Sequence, residues 1–221
     1  MITLLIYECY LENLMKKLFL SFVLAFVLPS LAIAADYSPG NGYTLIKSPV
    51  RTASPDKIEV IEIFWYGCPH CFALEPLTQA WSADLPEDVD FKFLPAVFGR
   101  NWLAHAKAYH VADILNVVDK THVNLFNAIH LDKRRLNSED DLAEFFAQYG
   151  VSEEEFKKQY DSFAVNSRLK QADAKIRAYG ARGVPGLIVN GKYLVTAETA
   201  NGSNNIYNVV DYLIEQERKT M

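Results

Sequence analysis

The sequence predicts an α/β protein: a strand, helix and strand unit, then an all-helical insertion, then two further strands and a closing helix. Three features carry that reading. Residues Ile58 to Trp65 and Phe91 to Phe98 are apolar, β-branched and aromatic runs, with Phe72, Leu74, Leu77 and Trp81 at helical spacing between them. From Asn101 to Tyr179 strand signals give way to repeated helix starts. Beyond Gly183 strand signals return on either side of Asn190-Gly191, the strongest short hairpin signal a sequence offers.

The chain opens on an export signal. Met15-Lys16-Lys17 is a charged n-region, Leu18 to Leu28 is apolar, and Ala32-Ile33-Ala34 fits the small-residue cleavage pattern. That apolar run falls short of the roughly 20 residues a transmembrane helix needs. Residues 1–34 therefore read as upstream sequence and a cleaved signal, with translation starting at Met15 rather than Met1.

Residues 35–99 form the first part of the folded unit. Tyr43 to Lys47 is a short strand, and Ser48 to Asp56, which contains Pro49 and Pro55, is a loop. Ile58 to Trp65 suits a central strand, with Glu59 and Glu62 as its polar interruptions. Phe64 and Trp65 are core candidates. Gly67 ends the strand, and Pro69 sits at the first turn of a helix, where its missing N–H costs nothing. Pro76 is expected to kink that helix. Phe91 to Phe98 completes a parallel pair through a right-handed crossover.

Residues 100–179 are the helical insertion. Its helices start at signals such as Ser138-Glu139-Asp140-Asp141 and Ser152-Glu153-Glu154-Glu155, where serine accepts from free backbone N–H groups and carboxylates suit the helix dipole. Residues 180–221 resume the sheet with Leu187 to Val189 and Tyr193 to Val195. Ile206, Val209, Val210, Leu213 and Ile214 then close the chain as an amphipathic helix. Asn201-Gly202-Ser203 matches a glycosylation pattern but reads as a loop.

Composition narrows the function. Of 221 residues, 50% are hydrophobic and 13% aromatic, which excludes a disordered chain. The formal net charge of −5 stays the same without residues 1–34, where Glu8 and Glu12 balance Lys16 and Lys17, and it offers nothing to a nucleic acid backbone. Cys9 falls in the segment expected to be removed, which leaves Cys68 and Cys71 as one possible disulfide. A chain of this size needs no staple, and so short a loop constrains the unfolded chain little. The pair is therefore chemistry rather than scaffolding.

A Cys-x-x-Cys pair at the start of a helix lets one thiol attack a disulfide while the second, a turn away, resolves the mixed disulfide. Cys68 falls at the helix N-terminus, where free N–H groups and the positive dipole end favour a thiolate and lower its pKa. Cys71, one turn in, is the resolving partner. Pro69 and His70 between them set the direction, because a protonated or donating His70 stabilises the Cys68 thiolate. A stable thiolate favours the reduced protein, so the oxidised form hands its disulfide on. Structural zinc is the competing use of such a pair. A second cysteine pair is missing, however, and His105, His110, His122 and His130 are scattered, reading as surface or satisfied histidines. Neither a metal nor a cofactor is expected.

The run Glu62-Ile63-Phe64-Trp65-Tyr66-Gly67-Cys68-Pro69-His70-Cys71 and the run Gly183-Val184-Pro185-Gly186-Leu187-Ile188-Val189-Asn190-Gly191-Lys192-Tyr193, with the helical insertion between them, resemble the thioredoxin superfamily. Within it they resemble the DsbA family of periplasmic thiol:disulfide interchange proteins. The resemblance covers nearly all of the mature chain and implies a thioredoxin-like fold with an inserted all-helical domain. It implies that Pro185 is cis and faces the cysteines, so that Val184 offers its backbone to a substrate segment as an added strand. It also implies that Glu62 and Lys92 are an acid and a base beneath the cysteines that manage protons during exchange. A carboxylate inside a buried strand needs a partner, and Lys92 in the neighbouring strand is the candidate. Where the family often carries a histidine two residues beyond that lysine, this chain has Leu94.

The resulting expectation is a monomeric dithiol oxidase of the periplasm. It would donate its Cys68–Cys71 disulfide to unfolded exported proteins with free thiols, through a mixed disulfide at Cys68. A quinone-linked membrane oxidase similar to DsbB would re-oxidise it, a partner implied by resemblance alone. The competing expectations are an isomerase or reductase of the same fold, and a non-enzymatic chaperone holding peptides on the insertion and an apolar groove.

Overall fold

A computed structural model describes residues 37–221. The signal expected over residues 1–34, both candidate start methionines and Cys9 lie outside the described residues. The sheet begins with β1 (Ser38–Pro39) and β2 (Gly42–Leu45) and continues with β3 (Ile58–Phe64), which is buried along its whole length. Helix α1 (Pro69–Ser82) crosses to β4 (Val89–Pro95), parallel to β3. β4 starts two residues before the expected Phe91 and stops short of Phe98, at Pro95.

The insertion is all helical, as expected: a 3-10 turn at Arg100–Trp102, then α2 (Leu103–Ile114), α3 (Val118–His130), α4 (Glu139–Ala147), α5 (Glu153–Tyr160) and α6 (Phe163–Tyr179). Ser138, Ser152 and Ser162 each accept the backbone N–H three residues on, so the serine starts read from the sequence are side-chain caps. β5 (Gly186–Val189) and β6 (Tyr193–Val195) then pair antiparallel, and α7 (Ile206–Arg218) closes the chain. Between β5 and β6, Lys192 N–H donates to Val189 O at 3.0 Å across Asn190 and Gly191, both at positive φ. Gly191 is required there twice over, because a Cβ would also come within 2.0 Å of Val50 O.

The strand order is β1-β2-β6-β5-β3-β4, so β3 is an inner strand with helices over both faces. On one face, Val60, Leu74 and Leu187 pack with Val209, Val210 and Leu213 of α7. On the other, Ile61, Ile63 and Ile188 pack with Ile176 and Tyr179 of α6. Helix α6 serves two layers, since its first half, through Val165 and Leu169, joins the core of the insertion.

One detail of α1 differs from expectation. The buried stripe is Cys71, Leu74, Glu75 and Thr78, at i, i+3, i+4 and i+7, while Leu77 is 38% exposed. Pro76 lies inside the helix, which continues past it to Ser82.

Candidate active site

Local sequence explains how Cys68 is presented. Gly67 turns the chain out of β3 under the Trp65 ring, where a Cβ would meet ring carbons at 2.3 Å. Trp65 is itself held by stacking on Trp102 of the insertion, with ring centres 4.2 Å apart. Cys68 is then the N-cap of α1, in extended conformation, with Pro69 beginning the helix. Pro69 and His70 are exposed, whereas Cys68 is 8% and Cys71 0% exposed. Both cysteines are free thiols in this structure.

The two thiols are driven apart electrostatically. A hydrogen bond from the Cys71 thiol, backbone N–H groups of Cys71 and His70, and the His70 charge bring Cys68 down to about 6, against the effect of burial. Cys71 moves upward because its proton is held against the Cys68 sulfur, because it is buried, and because the charges of Cys68 and Glu62 oppose a second anion. One sulfur is a ready nucleophile and stable leaving group; the other keeps its proton.

The Val184–Pro185 peptide bond is cis, and Cys68 Sγ lies 3.7 Å from Val184 O. An open groove of about 560 Å³ runs beside this contact, lined by His70, Arg182, Val184, Pro185, Leu194 and Thr196. The two sequence segments that carried the resemblance therefore meet at one sulfur.

Beneath the helix, Glu62 is 1% exposed and its carboxyl is pushed up to about 8, by burial and by the charge of Glu75. Thr78 Oγ1 donates to Glu62 Oε2 at 3.0 Å and the Tyr207 hydroxyl at 3.4 Å, which opposes part of that rise. Lys92 is not its partner. The register places Ile61 opposite Lys92 and Glu62 opposite Phe93, so side-chain alternation sends Glu62 and Lys92 to opposite faces of the sheet. Lys92 Nζ instead reaches Glu59 Oε2 at 3.3 Å and Asp90 Oδ2 at 2.6 Å.

Of the insertion's histidines, expected at the surface or satisfied, His105, His110 and His122 are buried; His105 and His122 each have one ring nitrogen at hydrogen-bond distance from a partner, whereas neither nitrogen of His110 has one. Burial pushes His105 and His110 down to about 4. His122 Nδ1 lies 2.8 Å from the Tyr66 hydroxyl, and His130, stacked on Phe72, places Nε2 2.7 Å from Tyr66 O. Glu75, Thr78, His122 and Tyr207 are site residues that sequence reasoning missed. The visible signal was a polar pair, Glu75 and Thr78, on the apolar stripe of α1. Among the described residues, no group of three or more His, Cys, Asp or Glu side chains is placed to hold a metal ion.

A family model described as a DSBA-like thioredoxin domain matches residues 59–213. The chain is a member of the DsbA family. It is 42% identical over 211 residues to the thiol:disulfide interchange protein DsbA of Azotobacter vinelandii, covering 92% of this chain and 99% of that one. Against DsbA of Pseudomonas aeruginosa the identity is 42% over 187 residues, covering 85% and 89% of the two chains. The crystal structure of Pseudomonas aeruginosa DsbA superposes with a TM-score of 0.80 at 41% identity, over 85% of this chain and 97% of that one. DsbA of Xylella fastidiosa gives 0.78 at 36% identity, over 82% and 98%. Membership fixes the thioredoxin-like fold and the activity of a protein thiol:disulfide oxidoreductase with the role of a disulfide oxidase. The Cys68–Cys71 pair is consistent with that activity.

Proposed function

We propose that this protein donates its Cys68–Cys71 disulfide to newly exported, unfolded proteins in the periplasm, with Cys68 as the sulfur that substrate attacks. The observation that carries this is the opposite displacement of the two thiols, Cys68 down to about 6 and Cys71 upward. A substrate thiolate attacks Cys68 Sγ, the Cys68–Cys71 bond breaks, and Cys71 leaves with the electron pair and takes up a proton. A second substrate thiolate then attacks the substrate sulfur of the mixed disulfide and expels Cys68 as a thiolate. Two electrons pass from the substrate dithiol to the enzyme dithiol, and a quinone-linked membrane partner similar to DsbB removes them.

The nearness of Val184 O to Cys68 supports Val184 and Pro185 as the edge on which the substrate segment lies as an added strand. His70 supports the thiolate from the exposed side. Glu62, whose charge acts on Cys71, is the proton-transfer group; Lys92, on the far face, is left with a structural role.

The test is oxidation of a reduced dithiol peptide by the purified protein. Cys68→Ser and Cys71→Ser should each abolish it, because neither variant can hold the disulfide that is donated. Equilibration in glutathione buffers should leave the wild-type pair reduced into strongly oxidising mixtures. A pair as reducing as thioredoxin's, or peptide holding that survives Cys68→Ser with no oxidation in the wild type, defeats the reading.

A further inference from the structure

The turn that delivers Cys68 is gripped from the insertion. On one side, Trp102 stacks on Trp65, the ring that lies over Gly67. On the other, helix α3 holds Tyr66 at both ends. The Tyr66 hydroxyl lies 2.8 Å from His122 Nδ1, and Tyr66 O lies 2.7 Å from His130 Nε2. A carbonyl oxygen only accepts, so Nε2 of His130 carries a hydrogen and donates it. The same imidazole lies nearly parallel to the Phe72 ring, with centres 4.7 Å apart and planes at 9°. His130, the last residue of α3, therefore touches Tyr66, two residues before Cys68, and Phe72, one residue after Cys71. One ring brackets the redox pair.

The contents of that bracket depend on geometry. Cys68 Sγ receives the Cys71 S–H and the backbone N–H groups of Cys71 and His70. These donors converge only while the chain enters α1 in one conformation, with Cys68 extended and Pro69 onward helical. Two backbone bonds mark that entry: Cys68 N–H donates to Trp65 O at 2.9 Å, and Phe72 N–H donates to Cys68 O at 3.0 Å. His130 holds the carbonyl next to the first bond and the side chain of the donor in the second. Hydrogen bonds weaken steeply as their angle opens, so slack in this turn costs the Cys68 anion more than the neutral thiol.

We propose that His130 is a positioning residue: its hydrogen bond to Tyr66 O and its stacking on Phe72 hold the first turn of α1 in the geometry that stabilises the Cys68 thiolate. It acts through the backbone around Cys68, whereas His70 acts through its charge. A more stable thiolate favours the reduced protein, so the insertion contributes to the oxidising power of a site on another part of the chain. The inference rests on the dithiol-oxidase reading of Cys68 and Cys71.

Two measurements on the purified protein test it: the Cys68 midpoint from thiolate ultraviolet absorbance, and the dithiol–disulfide equilibrium of the pair in glutathione buffers. His130→Ala removes both contacts. It should raise the Cys68 midpoint from about 6 by roughly one pH unit and shift the equilibrium about tenfold toward the disulfide. His130→Gln keeps an N–H for Tyr66 O, and His130→Phe keeps a ring for Phe72, so each should fall between alanine and wild type. Loss of thermal stability in His130→Ala with an unmoved midpoint makes the residue structural only and overturns the proposal. If the alanine variant does not fold, the glutamine and phenylalanine variants decide, and wild-type midpoints in both overturn it. Wild type is assayed alongside for oxidation of a dithiol peptide. Failure there defeats the oxidase reading, whereas successful oxidation with midpoints indifferent to residue 130 defeats the role of His130 alone.

Discussion

Glu59 and Glu62 stand on the same strand, each 1% exposed, yet they face different chemistry. Glu59 turns to the α6 face, where Lys92 Nζ lies at 3.3 Å and the Ala53 N–H donates to it at 3.3 Å. Glu62 turns to the α1 and α7 face, where it meets another carboxylate and two hydroxyls. Burial is the same for both, so burial alone does not decide what a carboxylate becomes. A cation and an N–H donor make Glu59 a structural tie, whereas burial with the like charge of Glu75 beside it raises the Glu62 carboxyl, which fits the proton store proposed above.

The largest break in that comparison is Glu62→Gln. Glu62 binds its proton more tightly in the folded protein, about 8, than at its ordinary value of 4.5, so stability present below pH 4.5 is lost as pH rises toward 8. At about 1.4 kcal/mol per unit, the loss is on the order of 4 kcal/mol. Urea unfolding at pH 5 and pH 8 should show wild type falling by that amount relative to the glutamine variant; parallel behaviour of the two proteins would contradict the proton-store reading.

A smaller effect tests the opposite face. Lys92→Met leaves Glu59 buried with one backbone donor, and should cost roughly 1 to 2 kcal/mol at neutral pH, tempered by the partial exposure of Lys92. The Glu62 titration should not move. A shift in it would mean that the two faces communicate through β3 and that the comparison is drawn too sharply.

The smallest effect concerns how far the polar face extends toward solvent. The His70 charge comes after the Cys71 thiol and the backbone N–H groups in lowering Cys68. His70→Ala should therefore raise the Cys68 midpoint from about 6 by only a fraction of a pH unit, read as thiolate ultraviolet absorbance. A rise to the ordinary thiol range would make His70, rather than Cys71, the principal stabiliser.

What was legible in the sequence was what local pattern encodes. Cys68-Pro69-His70-Cys71 announced its helix N-terminus, Ser138 and Ser152 announced caps, and Asn190-Gly191 announced a hairpin, because each is decided within a few residues. The partner of Glu62 was not legible. Choosing Lys92 required the register of β3 against β4, and a shift of one residue sends a side chain to the other face. His122 was hidden for a related reason, since it meets Glu75 and Tyr66 only once the insertion has folded back over α1. Gly183-Val184-Pro185 was found through family resemblance, and the geometry that gives it meaning, Val184 O against Cys68 Sγ, lies 116 residues away in sequence.

Helix α6 has a mechanical consequence. It spans Phe163–Tyr179, 17 residues and about 25 Å. Its first half is embedded in the insertion and its last turn lies on the sheet. It ends at Gly180 in left-handed conformation, four residues before Val184. A helix of this length behaves as a stiff rod, so a tilt of the insertion is delivered at its far end as a displacement of the loop that carries Val184 and Pro185. The insertion is thus geared to the loop whose Val184 O lies against Cys68 Sγ.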